Sequence, residues 1–386
     1  MTRTSTAPIS TVVATSADPD PAVAAAALVE HLGTEDALYA LFVTADYPRA
    51  ELAAALRPFW GDRVIGCTAA GNIGPGGFTS DPVLAIAFRG GDLVVHTVVI
   101  EPLSDLPLAI GRARAEVAQL PAPGIGLDSF ALLLVDGLSM AEDHLAAALT
   151  PALGGIPLIG GSAGDDLTFR ETAVLAGGEF RPDRATLTVV STRAPFRVFW
   201  MQHYEPDESM LVITAASPER RLVHEINGGP AASAYAEATG VSVAELGPGH
   251  FIANPVLLRA AGENWVRGIS AALPDGSLQF SAAIATGAAL RRGRPGDAVA
   301  LAQQRFDALA ADLGGQVSGL LAFDCVGRRV ELSMAGLDGA IERVLAQYRA
   351  VGFSSYGEQF NDLHMNQTMV GVAFGGPDLG PAGTSR

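Results

Sequence analysis

Three times along the chain, an apolar run of strand length gives way to a helical pattern and then to a second apolar run ending in glycine and small residues. The first copy runs from 37–44 through a helical stretch at 48–57 to Val64-Ile65-Gly66-Cys67-Thr68-Ala69-Ala70-Gly71. The second runs from 130–136 through 141–149 to Leu158-Ile159-Gly160-Gly161-Ser162-Ala163-Gly164-Asp165-Asp166. The third runs from 319–325 through 337–348 to Val351-Gly352-Phe353-Ser354-Ser355-Tyr356-Gly357-Glu358. A strand, a helix of three turns and a second strand is the size of a βαβ crossover. The pattern therefore predicts an α/β fold of repeated βαβ-type units with mixed sheets.

Alternating runs follow each copy: 83–88 with 93–99, 172–176 with 185–191, and 368–374. Gly90-Gly91, Gly177-Gly178 and Pro182-Asp183 bound them, which predicts hairpins. A strand and helix at 9–15 and 22–32 precede the first copy. Between copies two and three, strands are expected near 196–202, 210–215 and 222–226. Asn227-Gly228-Gly229-Pro230 then opens a short helix, and a hairpin is expected at 265–271 and 278–283 about Pro274-Asp275-Gly276. The expected division is 10–225 and 226–374, with flexible tails at 1–9 and 375–386.

The three glycine-rich segments, 66–71, 160–166 and 352–358, would lie at the carboxyl ends of parallel strands, where α/β sheets place ligand crevices. Glycine permits close backbone approach, hydroxyls add short donors and acceptors, and free amides in such a turn form an anion nest. On this reading the amides and hydroxyls of Thr68, Ser162 and Ser354 hold a carboxylate, and Asp165 or Glu358 holds an ammonium group. Cys67 sits inside the first segment, where its thiol lines the crevice or packs as a small hydrophobe.

Composition narrows the chemistry. The net charge is −16 and the 25 basic residues are all arginine, in no large cluster, which argues against nucleic acid and removes every mechanism that needs a lysine. Two cysteines supply neither a disulfide framework nor a thiolate metal site. No apolar run reaches the roughly 18 residues of a membrane span, and no signal-peptide core is evident, so a cytoplasmic protein without membrane contact is expected. Gly160-Gly161-Ser162-Ala163-Gly164 fits the nucleophile-elbow pattern of a serine hydrolase. An elbow must enter a helix, however, and 165–169 has no helical stripe. Asp165-Asp166 lacks a spaced third ligand, so no metal is expected.

Together with Asn227-Gly228-Gly229-Pro230-Ala231 and His364-Met365-Asn366-Gln367-Thr368, the three segments resemble, in order, the FIST proteins: an N-terminal FIST domain followed by a FIST C domain. The likeness spans roughly 10–374. It implies a non-enzymatic sensor in signal transduction that binds a small ligand such as an amino acid. Bacterial members stand alone or work with histidine kinases or cyclases. With no output module recognised here, a separate signalling protein of that kind is the expected partner. Some members are haem-containing nitric oxide sensors, which makes His364 a candidate haem ligand; Met365 displaces it by one position from their pattern. The implied ligand-binding set is Cys67, Thr68, Ala69, Gly71, Gly161, Ser162, Gly164, Asp165, Asp166, Ser354, Ser355, Tyr356, Glu358, His364 and Asn366.

Overall fold

A computed structural model describes residues 8–35, 37–260 and 262–376. Unit 1 comprises β1 (Ser10–Ser16), α1 (Pro21–Leu32), β2 (Leu38–Thr44), α2 (Arg49–Trp60), β3 (Val64–Ala69), the hairpin β4–β5 (Asn72–Gly74, Gly77–Thr79) and β6 (Val83–Arg89). Unit 2 repeats it with β7 (Val94–Ile100), α3 (Leu106–Val117), β8 (Asp128–Val135), α4 (Glu142–Ala152), β9 (Leu158–Ser162), the hairpin β10–β11 (Val174–Ala176, Glu179–Arg181) and β12 (Ala185–Thr192).

Unit 3 opens with β13 (Phe196–Met201) and is then interrupted by an insert. The insert comprises β14 (Tyr204–Pro206), β15 (Leu211–Ser217), β16 (Leu222–Ile226), β17 (Gly229–Pro230), α5 (Ala231–Thr239), α6 (Pro248–Ala253), β18 (Val256–Ala260), β19 (Glu263–Arg267), β20 (Ile269–Ala272), β21 (Leu278–Phe280) and β22 (Ala289–Pro295). Unit 3 resumes with α7 (Ala298–Asp312), β23 (Val317–Cys325), α8 (Val326–Met334), α9 (Asp338–Gln347), β24 (Ala350–Ser355), the hairpin β25–β26 (Glu358–Phe360, Leu363–Met365) and β27 (Met369–Gly375). Helix α8 was not foreseen from the periodicity.

Each unit has the same sheet core, a parallel pair (β2–β3, β8–β9, β23–β24) extended by antiparallel strands. The short hairpins do not stay with their own unit. β4 pairs with β24, β10 with β3, and β25 with β9, so unit 1 completes the sheet of unit 3, unit 2 that of unit 1, and unit 3 that of unit 2. The exchange closes the three units into a ring. Two expected hairpins are corrected by this topology. β6 and β7 belong to different sheets, as do β10 and β12, because Gly90-Gly91 and the 182–184 turn carry the chain between sheets. Gly177-Gly178 does turn a hairpin, but of β10 with β11.

Side-chain alternation explains why the parallel strands are apolar without interruption. Leu38, Ala40 and Phe42, Phe130, Leu132 and Leu134, and Leu321 and Phe323 all enter one central core shared by the three sheets. Their neighbours Tyr39, Leu41 and Val43, Ala131, Leu133 and Val135, and Leu320 and Ala322 face outward under each unit's own helices. Strands covered on both faces carry no polar stripe. Ile9, assigned by sequence to the tail, is fully buried in the central core, and Gly375 ends β27.

The insert has its own core around Tyr235, Phe251 and Phe280. The β20–β21 hairpin forms as expected. Asn227 and Gly228, at φ 54° and 81°, are the two-residue turn between β16 and β17, so this Asn-Gly motif is a turn requirement. Residues 225 and 226 lie within β16, inside the sheet of the insert.

Candidate functional site

The glycine-rich segments begin as strand where loops were expected, through Ala69, Ser162 and Ser355, and only then become turns. Gly66, Gly160 and Gly352 pair in register with Leu41, Leu133 and Ala322, and a Cβ at these glycines would lie 1.9, 2.4 and 1.9 Å from the partner carbonyl oxygen. The repeated glycine is therefore required by strand approach inside each sheet. Thr68, Ser162 and Ser354 are fully buried at the strand ends. Their amides donate to the carbonyls of Ala173, Gly357 and Gly71, and their own carbonyls accept from Gly164, Tyr356 and Ala70. These six bonds are the seams of the ring, so the three amides are not free to cradle an anion.

The other expected residues fall into separate places. Cys67 and Ala69 lie in the central core, and burial pushes the Cys67 thiol well up. Gly71 adopts φ 112° beneath the Arg329 guanidinium, Gly161 lies against the Phe323 and Phe353 rings, and Gly164 packs on Ala70. Asp165 organises the 165–171 turn. Its carboxylate accepts from the amides of Phe169, Arg170 and Glu171 and from the hydroxyls of Thr168 and Tyr356. Burial opposes ionisation there, but these donors hold its pKa below the ordinary carboxylate value. With its oxygens so engaged, Asp165 is a structural anchor, and Asp166 beside it is exposed at φ 55°. Glu358 is fully buried, accepting from Ser355 (2.5 Å) and Thr368 (2.6 Å), and burial raises its pKa to about 8.

Ser162, His364 and Asn366 do come together, with five side chains that sequence reasoning missed, those of Glu142, Asp143, Arg221, Arg267 and Gln359. Ser162 Oγ donates to Glu142 Oε1 in the first turn of α4 (3.2 Å) and accepts from Gln359 Nε2 (3.0 Å). Gln359 Nε2 also reaches His364 Nδ1 (3.1 Å), and His364 Nε2 reaches the Ser281 carbonyl (3.2 Å). This network assigns the proton to Nε2. From the insert, Arg221 Nη2 binds Glu142 Oε2 (2.6 Å) and Asp143 Oδ2 (2.9 Å). Arg267 Nη1 donates to the His364 carbonyl (3.1 Å), and the Gly268 amide donates to Asn366 Oδ1 (3.2 Å). Two buried arginines thus descend from the insert onto the carboxyl end of unit 2.

The electrostatics follow from burial. Desolvation opposes charge on Asp143, yet His364, Arg221 and Arg267 together hold its pKa below the ordinary value. Arg221 is likewise penalised by burial but raised overall by Glu142 and Asp143. Arg267 differs: burial lowers its pKa, Asp143 offsets this only in part, and no carboxylate among the described residues hydrogen-bonds to it. Its Nε, and Nδ2 of Asn366, have no hydrogen-bond partner among the described residues. A buried guanidinium without a bonded anion is costly. The sequence signal for these arginines was an arginine bounding an apolar strand run, as in Arg221-Leu222-Val223 and Trp265-Val266-Arg267.

Ser162 does not have the geometry of an activated nucleophile. It ends a strand, no helix follows it, and its hydroxyl is held by a carboxylate and an amide where a triad needs a histidine. Nor does His364 fit an axial haem ligand. Both ring nitrogens are hydrogen-bonded, and Gly357 packs so closely on the ring that a Cβ there would lie 2.4 Å from Cε1. No group of His, Cys, Asp and Glu among the described residues is arranged to hold a metal. No described helix is long and apolar enough to cross a membrane.

The molecule is thus a repeated α/β ring with a second module seated on its polar strand ends. The FIST N domain matches residues 37–229 and the FIST C domain matches 231–361, so the chain belongs to the FIST family, a class of sensory domains in signal transduction. It is also similar to the uncharacterized protein MJ1623 of Methanocaldococcus jannaschii, 27% identical over 187 residues. That match covers 46% of this chain and 35% of the relative, so the chain spans about a third of that protein's length.

Proposed function

We propose that this protein is a non-enzymatic sensor whose ligand is a small carboxylate, such as an amino acid, taken up at the junction of Arg267, Asn366, His364 and Ser162. The observation that carries the reading is Arg267, 5% exposed, with its Nε–H and the neighbouring Asn366 amide unpartnered. Guanidinium and carboxylate match geometrically as well as in charge. Glu142 and Asp143, already in the network, are suited to answer a ligand ammonium group. Because Arg221 and Arg267 come from the insert while Glu142 and Ser162 come from the ring, a ligand here would change how the two parts grip each other. A separate signalling protein, such as a histidine kinase or cyclase, would read that change.

Calorimetry with amino acids and short carboxylates tests the proposal. Saturable binding is expected, weakened at least tenfold in Arg267→Gln, a loss of about 1.4 kcal/mol or more. If no such compound binds, or Arg267→Gln binds as tightly as the parent, the reading fails.

A further inference from the structure

The three units also differ where the outer core meets the amino ends of the parallel strands. In unit 1, Trp60 at the end of α2 stacks on Tyr39, with ring centroids 4.4 Å apart and planes 8° apart. Trp60 Nε1 and the Tyr39 hydroxyl both bond the Gly33 carbonyl. In unit 3, Tyr348 follows α9 and packs on Phe306 at 5.2 Å, its hydroxyl bound to Gln303. In unit 2 the position of Tyr39 is Ala131, by register against Leu133 and Leu41, and the residue after α4 is Leu153. The outer core of unit 2 contains valine, leucine, isoleucine and alanine and not one aromatic ring.

A cavity of about 250 Å³ lies beside that place, lined by Leu153 and by Val189, the strand partner of Ala131, together with Val117, Leu120 and Ile156, with His96 at its side. The connection that borders it is also enlarged. Residues 33–37 and 313–316 serve units 1 and 3, whereas unit 2 uses 118–127, with Pro121, Pro123 and Gly124 on the cavity wall. Ser191, also on the wall, bonds Ser129 (2.7 Å). An apolar cavity of about 150 Å³ is enough to admit benzene, so this one has room for a larger ring.

We propose that the unit 2 cavity is a binding site for a small uncharged aromatic molecule of about indole size. The ligand supplies the ring that units 1 and 3 carry in their own sequence. It packs against Leu153, Ile156 and Val117, where burial of apolar surface drives association. The site lies at the opposite end of the unit 2 sheet from Arg267, and its ligand carries no charge, so it stands independently of the carboxylate reading.

Titration of the full chain with indole, followed by calorimetry and by methyl NMR shifts, tests the assignment. The expected result is one-to-one binding with Kd below about 1 mM, with shifts confined to methyls such as those of Val117, Leu153, Ile156 and Val189. Leu153→Phe, which places a ring in the cavity, should weaken indole at least tenfold. Ile156→Phe fills the same space from another wall and serves if the first variant does not fold. The assignment is overturned if indole does not saturate, if the shifts fall elsewhere, or if a folded filled variant binds indole as well as the parent.

Discussion

Units 1 and 2 share every strand, helix and register, yet they treat the two ends of their sheets in opposite ways. Unit 1 is closed by aromatic packing below, through Tyr39 and Trp60, and by the Asp165-anchored turn above, where Arg49 pairs with Glu171. Unit 2 has an aliphatic cavity below and a buried network of Glu142, Asp143, Arg221, Arg267 and His364 above. The difference shows that the repeat specifies the sheet and leaves its ends free to vary. One copy has its lower end filled by its own rings and its upper end by a turn from unit 2, and the other has its ends polar or open.

Removing the clamp on unit 2 should have the largest effect. Arg221→Met leaves buried Glu142 and half-buried Asp143 without the cation they share, and a loss of about 3–5 kcal/mol is expected in chemical denaturation; a loss below about 1 kcal/mol would show the clamp to be incidental. Trp60→Leu makes unit 1 resemble unit 2. It removes a fully buried ring, so a cost of about 3 kcal/mol is expected. A near-neutral result would mean that the aromatic plug contributes nothing that leucine does not.

The mildest test concerns Glu358, on the hairpin that completes the unit 2 sheet. Its pKa is raised in the fold from 4.5 to about 8, so over that interval the native state holds a proton that the unfolded chain releases. Stability from this group is therefore full below pH 4.5 and declines as pH rises to about 8. Glu358→Gln should flatten that decline and make the variant more stable than the parent at pH 8, by roughly 2 kcal/mol. Parallel pH profiles for the two proteins would contradict the assignment.

The repeated units were legible because strands buried on both faces must be apolar and a crossover helix has a fixed length. The glycines were legible as a repeat, but their cause was not. A glycine placed to clear a carbonyl, as Gly66 clears that of Leu41, looks in sequence like one placed to admit a ligand. Ser162, His364 and Asn366 were visible through their motifs. Arg221 and Arg267 were not, because the sheet of the insert brings Arg221 to Glu142 and Arg267 to His364 across long sequence separations that no spacing rule encodes. The hairpin exchange was invisible for the same reason: β10 would satisfy its own sheet's hydrogen bonds as well as those of unit 1.

That exchange has a consequence for how the protein is made. Ile73 pairs across the unit boundary with Gly352, and Gly160 with Gln359. As the chain emerges from the ribosome, units 1 and 2 carry unfinished edges and half of a shared core until the last strands are synthesised. Exposed strand edges at that stage invite association with other nascent chains. Vectorial synthesis therefore leaves the early part of this molecule waiting on its final segment, and protection during translation matters more here than for a chain of self-contained domains.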